Sequence, residues 1–315
     1  FIVGLMQNRG FLEMLMVSIS LAVAAIPEGL PAIVTIVLAL GMNKMVKRHA
    51  IVKKLLAVET LGSTTVICSD KTGTLTQNEM TVVKLYANNK LIKVTGSGYE
   101  PEGEFLEGQT KVNLKETSSL HKLLLISGLT NDAQLENTEG GYRIVGDPTE
   151  GALVTLAEKA KLGKEAINKR HPRIEELPFD STRKMMTTFH KNYIPGKIVS
   201  FTKGAPDVII NRCSHIYMDG KVIPFSQDLK EKLLEQNISF SKDALRVLAF
   251  AYKEYERLPA NISSDTSEID MIFVGLAGMI DPPRPEAKDA IRLCKQAGIV
   301  TTMSTGDYKE TAFAI

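Results

Sequence analysis

The stretch Ile67-Cys68-Ser69-Asp70-Lys71-Thr72-Gly73-Thr74-Leu75-Thr76 decides the fold of this 315-residue chain. The apolar run before Asp70 predicts a short buried strand, and the Gly- and Thr-rich residues after it predict a loop. Because open α/β sheets bind ligands at the carboxyl ends of their strands, Asp70 is expected at a functional edge. An ordinary surface turn is the alternative, since Asp, Lys, Gly and Thr are common turn residues.

The residues around Asp70 suit phosphoryl transfer. A carboxylate at this place can attack a phosphoryl group and form an aspartyl phosphate. Lys71 adds positive charge for the transferring oxygens, and the Thr74 hydroxyl can donate to a phosphate oxygen. The Thr72 carbonyl can face a Mg²⁺ ion, so Asp70 and Thr72 are the candidate Mg²⁺ ligands.

The whole string at residues 70–76 resembles the phosphorylation motif of P-type ATPases. The resemblance implies an α/β fold: a dehalogenase-like phosphorylation domain with a parallel sheet, into which an α+β nucleotide-binding domain is inserted. It also implies ATP as the substrate and an aspartyl-phosphate intermediate. A transmembrane helix is expected to precede these domains.

Composition limits the function classes. The formal charge of +2 gives no reason to expect a nucleic-acid partner, and three widely spaced cysteines match no zinc or disulfide pattern. The length allows about two or three domains. The chain begins with Phe1 inside an apolar run and ends inside a helical pattern, which predicts a central piece of a longer protein.

Residues 1–43 predict a membrane segment. From residue 14 to residue 42 the sequence is apolar apart from Glu28 and a few hydroxyl groups, which is about 43 Å of helix. The string Ile26-Pro27-Glu28-Gly29-Leu30-Pro31 is expected to break this helix and to free the carbonyls of Val23 and Pro27. A soluble core helix that carries an exposed Glu28 is the alternative.

An ionisable group at this depth in a bilayer is costly and indicates a function. The string around Glu28 resembles the fourth transmembrane helix of the calcium-pump branch of P-type ATPases. That resemblance implies a transported cation, most simply Ca²⁺, bound by the carbonyls of Val23, Ala24 and Ile26 and by the Glu28 carboxylate. Basic residues follow the span, which places the next domains in the cytoplasm. We expect an integral protein of the lipid bilayer, in a prokaryotic plasma membrane.

Residues 44–79 predict a stalk and the first part of the phosphorylation domain, and residues 80–275 predict the inserted nucleotide-binding domain. Residues 95–119 are expected to be exposed loops. The chain has no Gly-x-x-x-x-Gly-Lys-Ser/Thr loop, so ATP must be held in another way. The resemblance implies these nucleotide-binding residues: Glu150 as a polar contact, Phe179 as the adenine stack, Lys184 and Lys203 as cations, Gly204 beside Lys203, and Arg246 as a phosphate partner.

Residues 276–315 predict the second, truncated part of the phosphorylation domain. A buried strand at 273–280, an amphipathic helix at 285–297 and a strand at 299–303 form the expected parallel unit. The resemblance assigns further catalytic positions here: Asp281, Arg284, Thr305, Gly306 and Asp307.

Three functions are consistent with these patterns. The first is ATP-driven cation transport through an aspartyl phosphate, for which this chain is expected to be incompetent alone. The second is a soluble dehalogenase-like phosphatase, although Thr72 stands where such enzymes carry a second Asp. The third is a non-catalytic nucleotide-binding membrane protein.

Overall fold

The computed structural model describes residues 1–115 and 118–305. The chain divides into two compact units. Unit 1 comprises Phe1–Ile67 and Cys294–Thr301, and unit 2 comprises Cys68–Leu293 and the residues from Thr302 onward. Two predicted site residues, Gly306 and Asp307, lie outside the described residues.

Unit 1 begins with helices: α1 (Ile2–Met6), α2 (Phe11–Ala24), α3 (Leu30–Val46) and α4 (Ala57–Gly62). The predicted break is confirmed, because α2 ends and α3 begins on either side of residues 25–29. The carbonyls of Val23 and Pro27 lack their usual donors four residues later, because Pro27 and Pro31 have no N–H, but the expectation that these carbonyls are free is wrong. The Val23 carbonyl accepts from the Ile26 N–H at 3.1 Å, and the Pro27 carbonyl accepts from the Leu30 N–H at 3.0 Å. Tighter turns replace the bonds that the prolines remove.

Most of the large apolar side chains of α2 and α3 are exposed, with Leu12 at 74% and Leu21 at 70%. Within residues 1–115 and 118–305, no helix combines the length and the apolar character needed to cross a membrane.

The other elements follow in chain order: β1 (Val66–Asp70), β2 (Thr81–Ala87), β3 (Lys90–Val94), β4 (Phe105–Glu107), β5 (Thr110–Lys111), α5 (Ser119–Leu129), β6 (Gln134–Thr138), β7 (Gly141–Val145), α6 (Pro148–Lys159), α7 (Lys164–Arg170), β8 (Arg173–Asp180), β9 (Met185–His190), β10 (Ile198–Gly204), α8 (Pro206–Arg212), β11 (Cys213–Met218), β12 (Lys221–Pro224), α9 (Gln227–Lys242), β13 (Arg246–Tyr255), α10 (Ser264–Ser267), β14 (Met271–Ile280), α11 (Ala287–Gln296) and β15 (Val300–Ser304).

Strands β1 and β15 pair with each other in a two-stranded sheet. The expected burial of β1 is wrong, since Val66 is half-exposed and Cys68 is exposed. A sheet of two strands covers little apolar surface by itself.

The main sheet of unit 2 has the order β5-β4-β3-β2-β14-β13-β10-β9-β8. Neighbours along this path are antiparallel, and β11 pairs with β14 in parallel. Successive side chains of a strand point to opposite faces of a sheet. On β13, Phe250 and Tyr252 therefore join one core cluster with α5 and α6, while Ala249 and Ala251 join another with α8 and α9.

Two features differ from the sequence expectation. Strand β14 lies between β2 and β13 in the main sheet and β15 pairs with β1, so the expected parallel unit of β14, α11 and β15 does not form in one sheet of the described residues. The segment at 95–119 contains β4 and β5, and Phe105 of β4 is buried. The polar composition of this segment does not predict a hairpin. Burial of one aromatic side chain, Phe105, stabilises the short hairpin at the edge of the sheet.

Candidate functional site

A cavity of about 450 Å³ opens in unit 2. It lies among the first turn of α6, the turn that connects β8 to β9, the end of β10 and the start of β13. Its lining contains all the predicted nucleotide-binding residues together with others: Asp147, Thr149, Glu150, Phe179, Lys184, Lys203, Gly204, Ala205, Arg246, Val247 and Leu248. The structure therefore gathers into one site residues that are far apart in sequence.

The start of α6 positions Thr149 and Glu150. Asp147 is the N-cap, and its Oδ1 accepts from the N–H groups of Thr149 at 2.8 Å and Glu150 at 3.2 Å. Pro148 occupies the first helical turn, where its missing N–H is not needed. The cap fixes the direction in which both side chains leave the helix.

Glu150 and Lys203 form the buried polar floor of the cavity. The Lys203 Nζ donates to Glu150 Oε1 at 2.7 Å and also to the Asn131 side-chain carbonyl. Glu150 Oε2 accepts from the N–H groups of Asp132 at 2.8 Å and Ala133 at 3.0 Å. Burial lowers the pKa of Lys203, and the Glu150 carboxylate opposes that effect. A buried ion pair is held in one geometry when both carboxylate oxygens accept hydrogen bonds, as they do in Glu150.

Phe179 lies near the end of β8, and Lys184 lies in the turn that connects β8 to β9. Phe179 is 62% exposed, and Lys184 has a φ of +56°. Asp180 Oδ1 accepts from the N–H groups of Thr182 and Arg183, each at 2.9 Å, and these bonds lower the pKa of Asp180. The turn presents an aromatic face to the cavity with a cation beside it.

Gly204 permits the close approach of β10 to this turn. A Cβ at Gly204 would lie 2.4 Å from the Lys184 carbonyl oxygen. The same carbonyl accepts from the Ala205 N–H at 2.9 Å. A larger residue at Gly204 would therefore push apart the two segments that carry Lys184 and Lys203.

Arg246 closes another side of the cavity. Its Nη1 donates to the Thr149 hydroxyl at 2.7 Å. Val247 and Leu248 follow it and add apolar lining. An exposed aromatic ring, apolar walls and separate cations are the features that recognise a base and a phosphate chain.

The segment after Asp70 turns the chain sharply, as the sequence predicts. Within Lys71–Leu75, Thr72 is extended at φ −76° and ψ 123°, and Gly73 follows at φ +74°. The Thr76 N–H donates to the Lys71 carbonyl at 3.0 Å. Only glycine adopts such a positive φ readily, which explains Gly73 at this point.

The structure brings Asp281 and Arg284 to this turn. Asp281 Oδ2 accepts from the Thr76 hydroxyl at 2.5 Å, and its Oδ1 accepts from the Glu79 N–H at 3.2 Å. Arg284 Nη2 donates to the Gly73 carbonyl at 3.1 Å. Burial raises the pKa of Glu79, with a further contribution from Asp281 and an opposing one from Arg284. Asp281 and Arg284 therefore both form hydrogen bonds with the segment that follows Asp70.

Comparisons with known proteins agree with this arrangement. A sequence profile described as P-type ATPase, cytoplasmic domain N, matches residues 119–286. The chain belongs to the P-type ATPases.

Similar proteins match along essentially the whole chain. It is 46% identical over 313 residues to the calcium-transporting ATPase of Bacillus subtilis, covering 99% of this chain and 35% of that protein. It is 48% identical over 316 residues to calcium-transporting ATPase 1 of Bacillus cereus, covering 100% and 33%. It is 44% identical over 321 residues to the cation-transporting ATPase pma1 of Synechocystis, covering 100% and 35%. The chain thus spans about a third of the length of these curated relatives.

The remaining predicted site residues of this P-type ATPase chain do not line the cavity. Asp70 is exposed at the end of β1, and Thr74 is exposed within the turn. Thr305 follows β15, and Glu28 lies exposed in the break between α2 and α3. In the described part of the chain, no group of three or more His, Cys, Asp or Glu side chains could hold a metal ion.

Sequence reasoning missed several residues that contact the predicted site residues. Asn131, the partner of Lys203, follows the apolar helix α5 in the string Thr130-Asn131-Asp132. Thr149 lines the cavity and accepts from Arg246 Nη1, but the sequence assigns it no role in the site. Thr76 lies inside the recognised motif, but its bond to Asp281 joins residues that are 205 positions apart. A polar cluster after a buried helix is the one signal that indicates Asn131.

Proposed function

We propose that this chain supplies the nucleotide-binding and phosphorylation parts of an ATP-driven cation transporter, with Ca²⁺ as the cation. The observation that carries the proposal is the cavity, whose lining contains every residue that the sequence assigns to nucleotide binding. The printed names of the relatives, calcium-transporting and cation-transporting ATPases, support the same function.

The cavity suits ATP by its chemistry. The exposed Phe179 ring stacks on adenine, since a base offers an extended π-face. Lys184 and Arg246 lie at the cavity wall as cations for phosphate oxygens. Glu150 and Lys203 neutralise each other and supply polar contacts within the floor. An open cavity with one stacking ring favours a dissociation constant of roughly 0.1–1 mM, which is a binding free energy of about −4 to −5.5 kcal/mol.

Phosphoryl transfer takes place at Asp70. Its carboxylate attacks the terminal phosphorus of ATP, the bond to the bridging oxygen breaks, and ADP leaves as the aspartyl phosphate forms. Lys71 and the Thr74 hydroxyl stabilise the transferring oxygens. Thr305, with Gly306 and Asp307 after it, contributes further phosphate and nucleotide contacts.

The donors at the turn fit Mg²⁺. Asp70 and the Thr72 carbonyl provide two oxygen ligands, and Mg²⁺ in such sites takes one or two carboxylates and completes its shell with phosphate and water. When bound, the ion neutralises charge on the transferring group. Asp281 and Arg284 hold the turn that carries these donors.

Cation transport involves the break between α2 and α3. The exposed apolar side chains of both helices suit a lipid bilayer, in which the two helices form halves of one interrupted span. The Glu28 carboxylate and the carbonyls of Val23, Ala24 and Ile26 are oxygen ligands for Ca²⁺. In a protein of the relatives' full length, Glu28→Gln should weaken Ca²⁺-dependent phosphorylation by ATP and spare phosphorylation by inorganic phosphate.

A calorimetric titration of the 315-residue chain with ATP tests the nucleotide site. Lys203→Ala should weaken binding about tenfold or more, because it leaves the buried Glu150 unpaired. Lys221→Ala, at an exposed lysine of β12, is the matched control and should bind as the parent does. A phosphate-release assay should show no turnover by this chain. Equal affinities for the parent and Lys203→Ala, or no binding at all, would remove the nucleotide site from the proposal.

A further inference from the structure

We propose that Arg183 is a positioning residue that holds the Phe179 ring in place for the nucleotide base. The inference rests on the proposed function of the cavity, since it concerns how that site recognises a nucleotide. Phe179 lines the cavity, whereas Arg183 acts on it through the backbone.

The backbone that carries Phe179 lies at the end of β8, where regular pairing with β9 is interrupted. The register between β8 and β9 shifts between Leu177 and Asp180, so the chain at Pro178 and Phe179 departs from the regular ladder. Arg183 Nη2 donates to the Pro178 carbonyl at 2.6 Å. That carbonyl belongs to the peptide bond that joins Pro178 to Phe179. The guanidinium group therefore restrains the backbone that directs the exposed ring.

The other end of Arg183 is tied to the protein interior. Its Nη1 donates to Glu268 Oε1 at 2.5 Å, and Glu268 has no exposed surface. The hydroxyl of Thr187 donates to Glu268 Oε1 at 2.9 Å, and that of Ser264 donates to Glu268 Oε2 at 2.7 Å. A buried carboxylate with this many donors has a fixed position. Arg183 thus connects a rigid point in the core to the exposed turn.

The chemistry of the guanidinium group suits this connection. Its planar fork presents donors in fixed directions, so Arg183 can bond Glu268 and Pro178 at the same time. A lysine keeps the charge but offers one compact ammonium group. Arg183→Lys therefore separates the effect of geometry from the effect of charge.

Arg212 offers a matched control. It lies at the end of α8, and its Nη1 donates to the Ser264 hydroxyl at 3.0 Å and lies 4.0 Å from Glu268 Oε2. Arg212 and Arg183 therefore share one buried carboxylate, but Arg183 is the one bonded to Pro178. Loss of either arginine removes one positive charge near Glu268.

The first experiment is a double-mutant cycle on the 315-residue chain, with ATP and inorganic tripolyphosphate as ligands. Arg183→Gln and Arg183→Lys should each weaken ATP binding about tenfold, the size of one aromatic contact, and leave tripolyphosphate binding within about twofold. In a Phe179→Ala background, Arg183→Gln should have no further effect. Arg212→Gln should leave ATP binding unchanged. Additive effects, or equal losses for both ligands, would overturn the positioning role.

The second experiment needs no ligand. The chain contains no tryptophan, so Phe179→Trp creates a single fluorescent reporter on the turn. Arg183→Gln should lower the fluorescence anisotropy of this reporter, whereas Arg212→Gln should not. An unchanged anisotropy would contradict the inference. If Phe179→Ala binds ATP like the parent, the proposed nucleotide site fails, and the anisotropy still tests whether Arg183 restrains the turn.

Discussion

The cavity and the Asp70 turn differ in how their polar groups are held. In the cavity, Lys203 and Glu150 are largely buried and bonded to each other, with backbone N–H groups completing the carboxylate. At the turn, Asp70 and Thr72 are exposed, and the segment is held through Thr76 and its contacts with Asp281. The cavity is preorganised by packing and burial. The Asp70 turn is held by a few hydrogen bonds to residues that are distant in sequence.

This difference indicates that the two regions proposed for nucleotide binding and for phosphoryl transfer are held in place independently of each other. A site on a packed sheet keeps its geometry without its ligand, because close packing holds its side chains in single conformations. A site on an exposed turn gains its geometry from whatever contacts it during the reaction. Changes in either region should therefore leave the other nearly unaffected.

The largest expected effect comes from Asp70→Asn in a protein of the relatives' full length. The amide is a poor nucleophile, so the acid-stable, hydroxylamine-sensitive label from ATP should disappear. ATP affinity, measured by calorimetry, should stay within about twofold, since the cavity is built without this residue. A label that persists on the variant would remove Asp70 from the mechanism, and a large loss of affinity would contradict the separation of the two regions.

Acid should weaken the sheet that bears the cavity, through His190. Its Nδ1 donates to the His171 carbonyl at 2.9 Å, and its Nε2 accepts from the Thr188 hydroxyl at 2.9 Å. Burial lowers the pKa of His190 to about 4 from an ordinary value of 6.5. Between these values the unfolded chain binds more protons than the folded one, so this contribution is complete above the unfolded pKa and is lost as pH falls towards the folded one.

The expected loss is about 3 kcal/mol of unfolding free energy between pH 6.5 and pH 4. Denaturant titrations at both pH values measure it, and His190→Gln, which cannot be protonated in this range, serves as the comparison. The variant should lose less stability on acidification than the parent. Equal losses would show that His190 titrates normally in the folded state.

Thr76→Val should have the smallest effect and should act on the turn. Thr76 is completely buried, and the substitution removes its bond to Asp281 while keeping a similar shape. We expect a loss of about 1 kcal/mol in the unfolding free energy of this chain and, in a protein of the relatives' full length, slower phosphorylation of Asp70. ATP affinity should remain that of the parent. A weakened ATP site with normal phosphorylation would reverse the comparison between the two regions.

Much of the cavity could be predicted from the sequence, because its residues lie in short recognisable strings. Phe179 near the end of β8 and Lys184 in the turn after it lie within six residues of sequence, and Lys203 and Gly204 end one strand. The bond between Lys203 and Asn131 could not be predicted, since it joins positions 72 residues apart and depends on how α5 packs. Local patterns indicate which residues are chemically suited, whereas tertiary packing decides their partners.

The fold shows the same limit. The sequence predicts β14 as a buried strand, and the structure confirms a strand there. Its membership of the main sheet follows from register with β2 and β13, which hydrophobic pattern alone does not encode. For β1, an apolar run predicted burial, but its exposure depends on which other strands lie beside it.

The junction between the Asp70 turn and the stretch after β14 has a consequence for how this protein tolerates change in length. Thr76 forms a bridge with Pro283, and the Gln77 N–H donates to the Pro282 carbonyl at 3.0 Å. The two ends of the segment from Asn78 to Asp281 therefore lie side by side at this junction. Closure entropy rises slowly with the length of such an excursion, by about 0.6 kcal/mol for each doubling. Insertions or deletions far from this junction should therefore change its closure entropy little and leave its contacts in place.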